Sequence, residues 1–294
     1  MTQWDGRGLP PVAADRMRRF ARTGLRTSLL TVPGAVGVQS VGFEPVGEVM
    51  GCIVEHIGWS GFGGCGYFGG YPGGIGGFGL GGGTVTSSGS ARFAGFGPYV
   101  DALYRGYDTA LDRMTAEAAA MDADGVVGVR LSVSPLGVDN REFLALGTAV
   151  RARSRHRPGR VFTTDLAGQD VAKLLTGGWV PSAIAYGISV AVRHDDWWTR
   201  RQSSWGAGNT EVSGYTELVT HVRADARHRF EHQVRSAGAE GAIVSSMGLE
   251  IGTIEPSENH RDHVAESTVF GTALVSFHQG YRAPTRSLTI LALR

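Results

Sequence analysis

One run in the chain has the spacing of a metal site: His228-Arg229-Phe230-Glu231-His232. Two histidines four residues apart share one side of a helix, and H-x-x-E-H is the ligand spacing of one class of zinc peptidase. Here Ala226 and Phe230 fall on the apolar stripe of the surrounding helix pattern, which turns His228 and His232 toward solvent. A peptidase also needs a third protein ligand and a cleft, and no matching acidic helix follows. The pair therefore reads as a solvated face able to pick up a metal adventitiously. His260 and His263 sit in a donor-rich hairpin tip, residues 258–263, which is a weaker metal candidate. Cys52 and His56 share one face of a strand, but Cys65, the other cysteine, lies in a glycine tract, and there is no C-x-x-C pair. Gly61-Phe62-Gly63-Gly64-Cys65-Gly66 satisfies the dinucleotide fingerprint by letter. More glycine follows it, not a helix N-terminus, so nothing would meet a pyrophosphate. With no G-x-S-x-G elbow, P-loop or paired-carboxylate constellation in the chain, nothing points to an enzyme.

The elements that must hold these residues occur twice. Ala123-Asp124-Gly125-Val126-Val127 returns as Ala239-Glu240-Gly241-Ala242-Ile243, and Gly147-Thr148-Ala149-Val150 as Gly271-Thr272-Ala273-Leu274. Residues 99–121 and 215–237 carry apolar positions stepping by three or four, the mark of a helix with one buried face. A strand precedes each helix, over 48–57 and 183–193, and a hairpin follows it, over 126–133 with 143–152 and over 243–254 with 267–277. Residues 28–32 read as a short strand, residues 12–22 as a short basic helix, and 288–293 as a final strand that pairs with a sheet edge. The reading is α+β: two tandem repeats, each a small antiparallel sheet with one long helix packed across it. Its boundaries are a leader (1–26), a first domain (27–152) with an insertion (58–91), a basic linker (153–160), a second domain (161–280) and a tail (281–294).

The insertion is unusual in composition. From residue 58 to 83, 15 of 26 residues are glycine, a density that no helix or ordinary strand holds by propensity. A flexible linker is the plain account, but a solubilising linker would be polar. This one interleaves Trp59, Phe62, Tyr67, Phe68, Tyr71 and Phe78, with no charged residue between His56 and Arg92. The second repeat carries Trp197, Trp198 and Trp205 at the same place. Both repeats thus present an aromatic loop between strand and helix, as an interaction or pore-lining surface would.

Twenty-eight basic residues against 27 acidic ones leave no electrostatic footprint of a dedicated nucleic-acid binder. No apolar run follows a basic start, and no 20-residue apolar helix occurs, so neither a secretory signal nor a conventional membrane span is read; a cytoplasmic protein is expected.

Gly47-Glu48-Val49-Met50-Gly51, the long helix ending in residues 123–129, and Gly147-Thr148-Ala149-Val150 resemble the YbjQ-like family, whose label is heavy-metal binding. The resemblance covers about 27–152 well and about 161–278 more weakly. It implies small α+β units that associate in rings of five. Two departures stand out: glycine replaces the segment between strand and helix, and the paired cysteines of a metallochaperone are missing. Five is odd, so two-domain chains cannot alternate strictly around one ring of five; five chains forming two stacked rings is the simplest closed arrangement. The sequence therefore leads to a non-enzymatic, ring-forming homo-oligomeric scaffold or binding protein, with no cofactor. The alternative is a divalent-metal or small-ligand protein that uses the His and Cys clusters.

Overall fold

The computed structural model describes residues 9–24, 27–57, 85–87, 97–137, 140–155, 157–257, 260–277 and 291–292. Six helices and nine strands occur among them. In chain order these are α1 (Pro11–Thr23), α2 (Val32–Ser40), β1 (Phe43–His56), β2 (Val85–Ser87), α3 (Gly97–Ala120), β3 (Gly125–Pro135), β4 (Asn140–Ala152) and β5 (Phe162–Thr163). They continue with α4 (Gly168–Thr176), β6 (Trp179–His194), α5 (Trp197–Gln202), α6 (Ser213–Ser236), β7 (Gly241–Ser257), β8 (His260–Ser276) and β9 (Leu291–Ala292).

The strands form two sheets, ordered β1-β4-β3-β5 and β2-β6-β8-β7-β9. The central triplets match: in each half the first strand and the hairpin pair antiparallel, with the last hairpin strand in the middle. The two halves therefore share one topology, as the α+β reading of the sequence expects. Two features differ from the sequence reading. Residues 28–32 are not a strand; Thr31 instead caps α2, its hydroxyl accepting from the Gly34 amide at 3.2 Å. A second nine-residue helix, α4, occupies the same place before β6.

The repeated motifs have repeated jobs. The long helix crosses its first strand so closely that only glycine fits there. A Cβ on Gly51 would lie 2.0 Å from the Ala110 carbonyl oxygen, and one on Gly187 would lie 2.0 Å from that of Ala226. Beside that crossing the helix ties down the strand through one side chain. The Met50 amide donates to Glu117 at 2.7 Å, and the Tyr186 amide donates to Gln233 at 2.8 Å. The threonine of the Gly-Thr-Ala motif holds the segment entering each half. Thr148 accepts from the Leu29 amide at 2.9 Å, and Thr272 from the Asp165 amide at 3.3 Å. Asp124, in the other repeated motif, is buried; it accepts from the Ala152 amide at 2.7 Å and from Arg157 Nε at 2.6 Å. The hairpin end is thereby fixed to the basic linker.

The halves are joined through α3, which is covered on two sides. One side meets its own sheet, at Gly51, Phe143 and Ala145. The other meets the second sheet: Tyr104 stacks on Tyr186 at 5.5 Å, and Tyr107 contacts Tyr186 at 5.4 Å and Phe270 at 5.3 Å. The Tyr186 hydroxyl donates to Asp108, and the Ile188 amide donates to the Tyr104 hydroxyl at 3.0 Å. One hydrophobic cluster therefore contains residues of both halves, including Tyr107, Phe143, Tyr186 and Ile188. The residues gathered under α6, such as Ala226, Phe230 and Leu218, all belong to the second half. Short elements bind the halves further. β5 adds in parallel to β3 at Gly125 and Val126, and α2 crosses α4 where a Cβ on Gly168 would lie 2.3 Å from the Gly34 carbonyl oxygen.

Because backbone atoms leave no room at the α6 crossing, Gly187→Ala must displace the helix from the sheet. Overpacking of this kind costs about 1–3 kcal/mol. Denaturant unfolding of the variant should show a midpoint lowered to match; a midpoint equal to that of the parent protein would mean that the crossing is not close-packed.

Candidate functional site

The aromatic residues expected to form an interaction surface divide into two groups. Trp59, Phe62, Tyr67, Phe68, Tyr71 and Phe78 lie outside the described residues, as does Cys65. Trp197, Trp198 and Trp205 are described, and they are 62%, 63% and 105% exposed. An indole left in water gives up a large favourable burial term, and exposed aromatic side chains of this kind mark an interaction surface.

This surface is anchored from beneath by polar groups. Asp196 caps α5, its carboxylate accepting from the Thr199 amide at 2.7 Å, and this bond holds the carboxyl below its ordinary range. Arg193, buried at the end of β6, binds Glu217 on α6 and reaches Asp196 at 3.3 Å. Gly214 opens α6 at this point, because a Cβ there would lie 2.4 Å from the Thr199 hydroxyl and 2.6 Å from Arg193 Nε. On α5 itself the two indoles meet edge to face at 5.0 Å, and the Arg201 guanidinium lies over the Trp197 ring at 5.2 Å.

Behind α5 lie two His–Asp pairs made by adjacent residues of neighbouring strands. His194 Nδ1 is 2.6 Å from Asp262, a fully buried carboxylate, and His263 Nδ1 is 3.0 Å from Asp195. The antiparallel register sets His194 opposite Asp262, and His263, opposite Arg193, reaches diagonally to Asp195 just beyond the end of β6. Tyr215 joins the group: its hydroxyl donates to Asp195 at 3.3 Å, and its ring packs on His263 at 4.3 Å. Sequence reasoning took residues 258–263 as a hairpin tip by itself, and nothing short of the strand register joins them to His194 and Asp195.

The metal candidates are scattered. His228 and His232 are exposed on α6, beside a groove of about 420 Å³ also lined by Tyr104, Asp225 and Arg229. The Asp225 carboxylate there is already engaged by Ser189 at 2.6 Å and Arg229 at 3.2 Å. Cys52 and His56 share a face of β1 but stand four residues apart, about 13 Å along a strand. His56 pairs with Asn140 at 3.1 Å. His260 and His263 both lie on β8, where His263 is engaged by Asp195. Among the described residues no three His, Cys, Asp or Glu side chains could hold one ion.

Between the halves lies a second polar site. Tyr99 on α3 donates to Glu266 on β8 at 2.7 Å, and Arg141 lies over the Tyr99 ring at 5.6 Å. Burial pushes the Glu266 carboxyl up from its ordinary range, against the opposing effect of the Tyr99 hydrogen bond. Burial likewise pushes the Tyr107 hydroxyl up to about 12. The adjoining cleft, about 460 Å³, runs past Asn140, Arg141 and Glu250. The arrangement suits a seam between packed units: carboxylate, phenol and guanidinium satisfy one another.

Residues 89–153 match the model of the YbjQ family, described as "Putative heavy-metal-binding". Over 262 residues the chain is 30% identical to the encapsulin nanocompartment protein Rv1762c of Mycobacterium tuberculosis, covering 84% of this chain and 88% of that protein. A UPF0145 protein of Halorubrum lacusprofundi is 46% identical over 55 residues, and that of Natronomonas pharaonis is 47% identical over the same length; each match spans 53% of the relative and 19% of this chain. The chain belongs to the YbjQ-like family. The family model matches within the first half, whereas the likeness to the mycobacterial protein covers more residues than either half contains. No helix among the described residues is long and apolar enough to cross a membrane.

Capping by Asp196 predicts a specific pH dependence. A carboxyl whose folded pKa is lowered contributes stability that is present above its unfolded pKa and is lost as pH falls through the folded value. Asp196→Ala should therefore reduce stability by about 1 kcal/mol at pH 7. The gap between variant and parent should close as pH falls below the ordinary carboxylate range, which thermal unfolding across pH would show.

Proposed function

We propose that this chain is a non-enzymatic scaffold subunit that self-assembles, with the aromatic loops of both halves as its interaction surface. The observation that carries the reading is the anchored, exposed Trp197-Trp198 pair, with Trp205 also exposed a few residues on. A polar network around Arg193 and Asp196 orders a short helix whose main display is indole, an arrangement without use in an isolated molecule. The name of the mycobacterial relative, an encapsulin nanocompartment protein, supports assembly into a larger particle as the setting. The family resemblance supplies five as the number of chains in a closed ring. The glycine-rich aromatic segment of the first half is then brought together in five copies around an axis, as a pore lining or docking surface. The same reading places the protein in the cytoplasm and assigns it no nucleic-acid partner.

Native mass spectrometry without added chelator tests this directly. A mass of five chains or a multiple of five is expected, with no metal held through His228 and His232. A monomer would overturn the proposal. The variant Trp197→Ser/Trp198→Ser/Trp205→Ser should keep the far-ultraviolet circular dichroism of the parent and lose assembly or its partner contacts. The difference in tryptophan emission between parent and variant should shift to the blue on assembly; an unchanged, water-like difference spectrum would remove the indoles from the interface.

A further inference from the structure

The contact between the two halves is one-directional, and this leaves two faces of the chain without their counterparts. Inside the chain, α3 of the first half lies against the face of the second sheet that carries Tyr186, Ile188 and Phe270. The matching glycine crossings and Gly-Thr-Ala strands make Met50 the equivalent of Tyr186, Cys52 of Ile188 and Leu146 of Phe270. Beyond α2, which packs at its Val150 end, no helix among the described residues lies on that face of the first sheet: Met50, Cys52, Leu144 and Leu146 are half-buried, and Val54 is 50% exposed. Likewise α6 is the equivalent of α3, but its outer side, with Thr220, Arg223, Ala224 and Arg227 in the places of Tyr104, Tyr107, Asp108 and Leu111, is exposed. Next to it Met247 on β7 is exposed, whereas its first-half equivalent, Leu131, packs against the shared core.

We propose that these two faces meet between copies: α6 of one chain packs on the outward face of the first sheet of the next, repeating the contact that joins the halves of one chain. The occupant is a second copy because the two uncovered faces are equivalents of two faces that already fit each other. The chemistry also matches. The sheet face sets Glu48 and Glu142 around its apolar stripe, with Arg130 at the β3 side, and α6 presents Arg223 and Arg227. A head-to-tail contact of this kind closes into rings or runs on into filaments. In a ring the halves alternate, so the number of domains is even and five chains place ten halves around one axis. This departs from the two stacked rings expected from the sequence. Strand addition is not repeated at the new contact, because β9 already occupies the β7 edge at Gly241 and Ala242, where β3 receives β5. The inference rests on the self-assembly proposed above and names the surfaces that carry it.

The native Cys52 supplies the test. Inside the chain the Tyr104 hydroxyl touches the Ile188 amide; between chains the equivalent pair is Thr220 and Cys52. In the full-length chain carrying Cys65→Ser, Thr220→Cys should be joined to Cys52 of a neighbouring copy by a short bis-maleimide. The product is a ladder of covalent multimers on a denaturing gel. His221→Cys, at the equivalent of the solvent-facing Arg105, should give none. The native mass of each variant is measured in parallel. Assembly at the parent's mass with no Thr220→Cys ladder overturns this interface while leaving self-assembly standing. A monomeric parent overturns both. A ladder that also appears with His221→Cys reports random collision and overturns the interface as well.

Discussion

A single helix covered on two sides is the constraint from which the rest of this architecture follows. α3 must satisfy its own sheet through the glycine crossing at Gly51 and the second sheet through Tyr104 and Tyr107. An α-helix buried on both flanks can carry few charged groups there, and those it carries need partners. Asp108 finds the Tyr186 hydroxyl and Glu117 finds the Met50 amide. α6, covered on one flank, is free to be rich in Arg and His, and its mean hydropathy reflects this. The difference in composition between two helices of equal length and equivalent place is thus a difference in how many neighbours each has inside the chain.

The parts of the fold that were legible in the sequence were those with long periods. Two 24-residue helices and two hairpins leave enough turns and alternations to show. α2 and α4 escaped because nine residues give barely two turns, and Pro33 with Gly34 and Gly37 disguises the first as a loop. α5 escaped for the same reason at six residues. The site was legible in part. Three tryptophans between a strand and a helix could be read as displayed, and His228 and His232 as solvated beside the stripe of Ala226 and Phe230. What holds the display in place could not be read: Arg193 meets Glu217 where β6 passes α6, and the two His–Asp pairs tie the end of β6 to the start of β8, between residues far apart in the chain.

The family label and the structure point in different directions. The label names heavy metals, yet the repeated motifs of this chain are spent on geometry. Gly-Thr-Ala fixes the entering segment, Asp124 fixes the hairpin end, and the glycines allow close crossing. None of these motif residues is a soft or borderline metal ligand placed beside another. The parts of the sequence that carry the family resemblance are therefore those that build the unit and its contacts.

The short strand β5 carries one more consequence, for the order of synthesis. The edge of the first sheet at Gly125 and Val126 is completed by Phe162 and Thr163, which come after the linker, and Gly125 has no side chain because the Phe162 ring takes its space. On the ribosome, then, the first half emerges with that edge open and one flank of α3 bare. It stays so until the strand bearing Tyr186 has been made. Nascent chains carrying this unfinished surface are the form most prone to wrong partners, and a neighbouring nascent chain offers the same faces. A protein whose copies pack as its halves do has, during translation, a choice between closing on itself and closing on its neighbour, and the brevity of the linker favours the first.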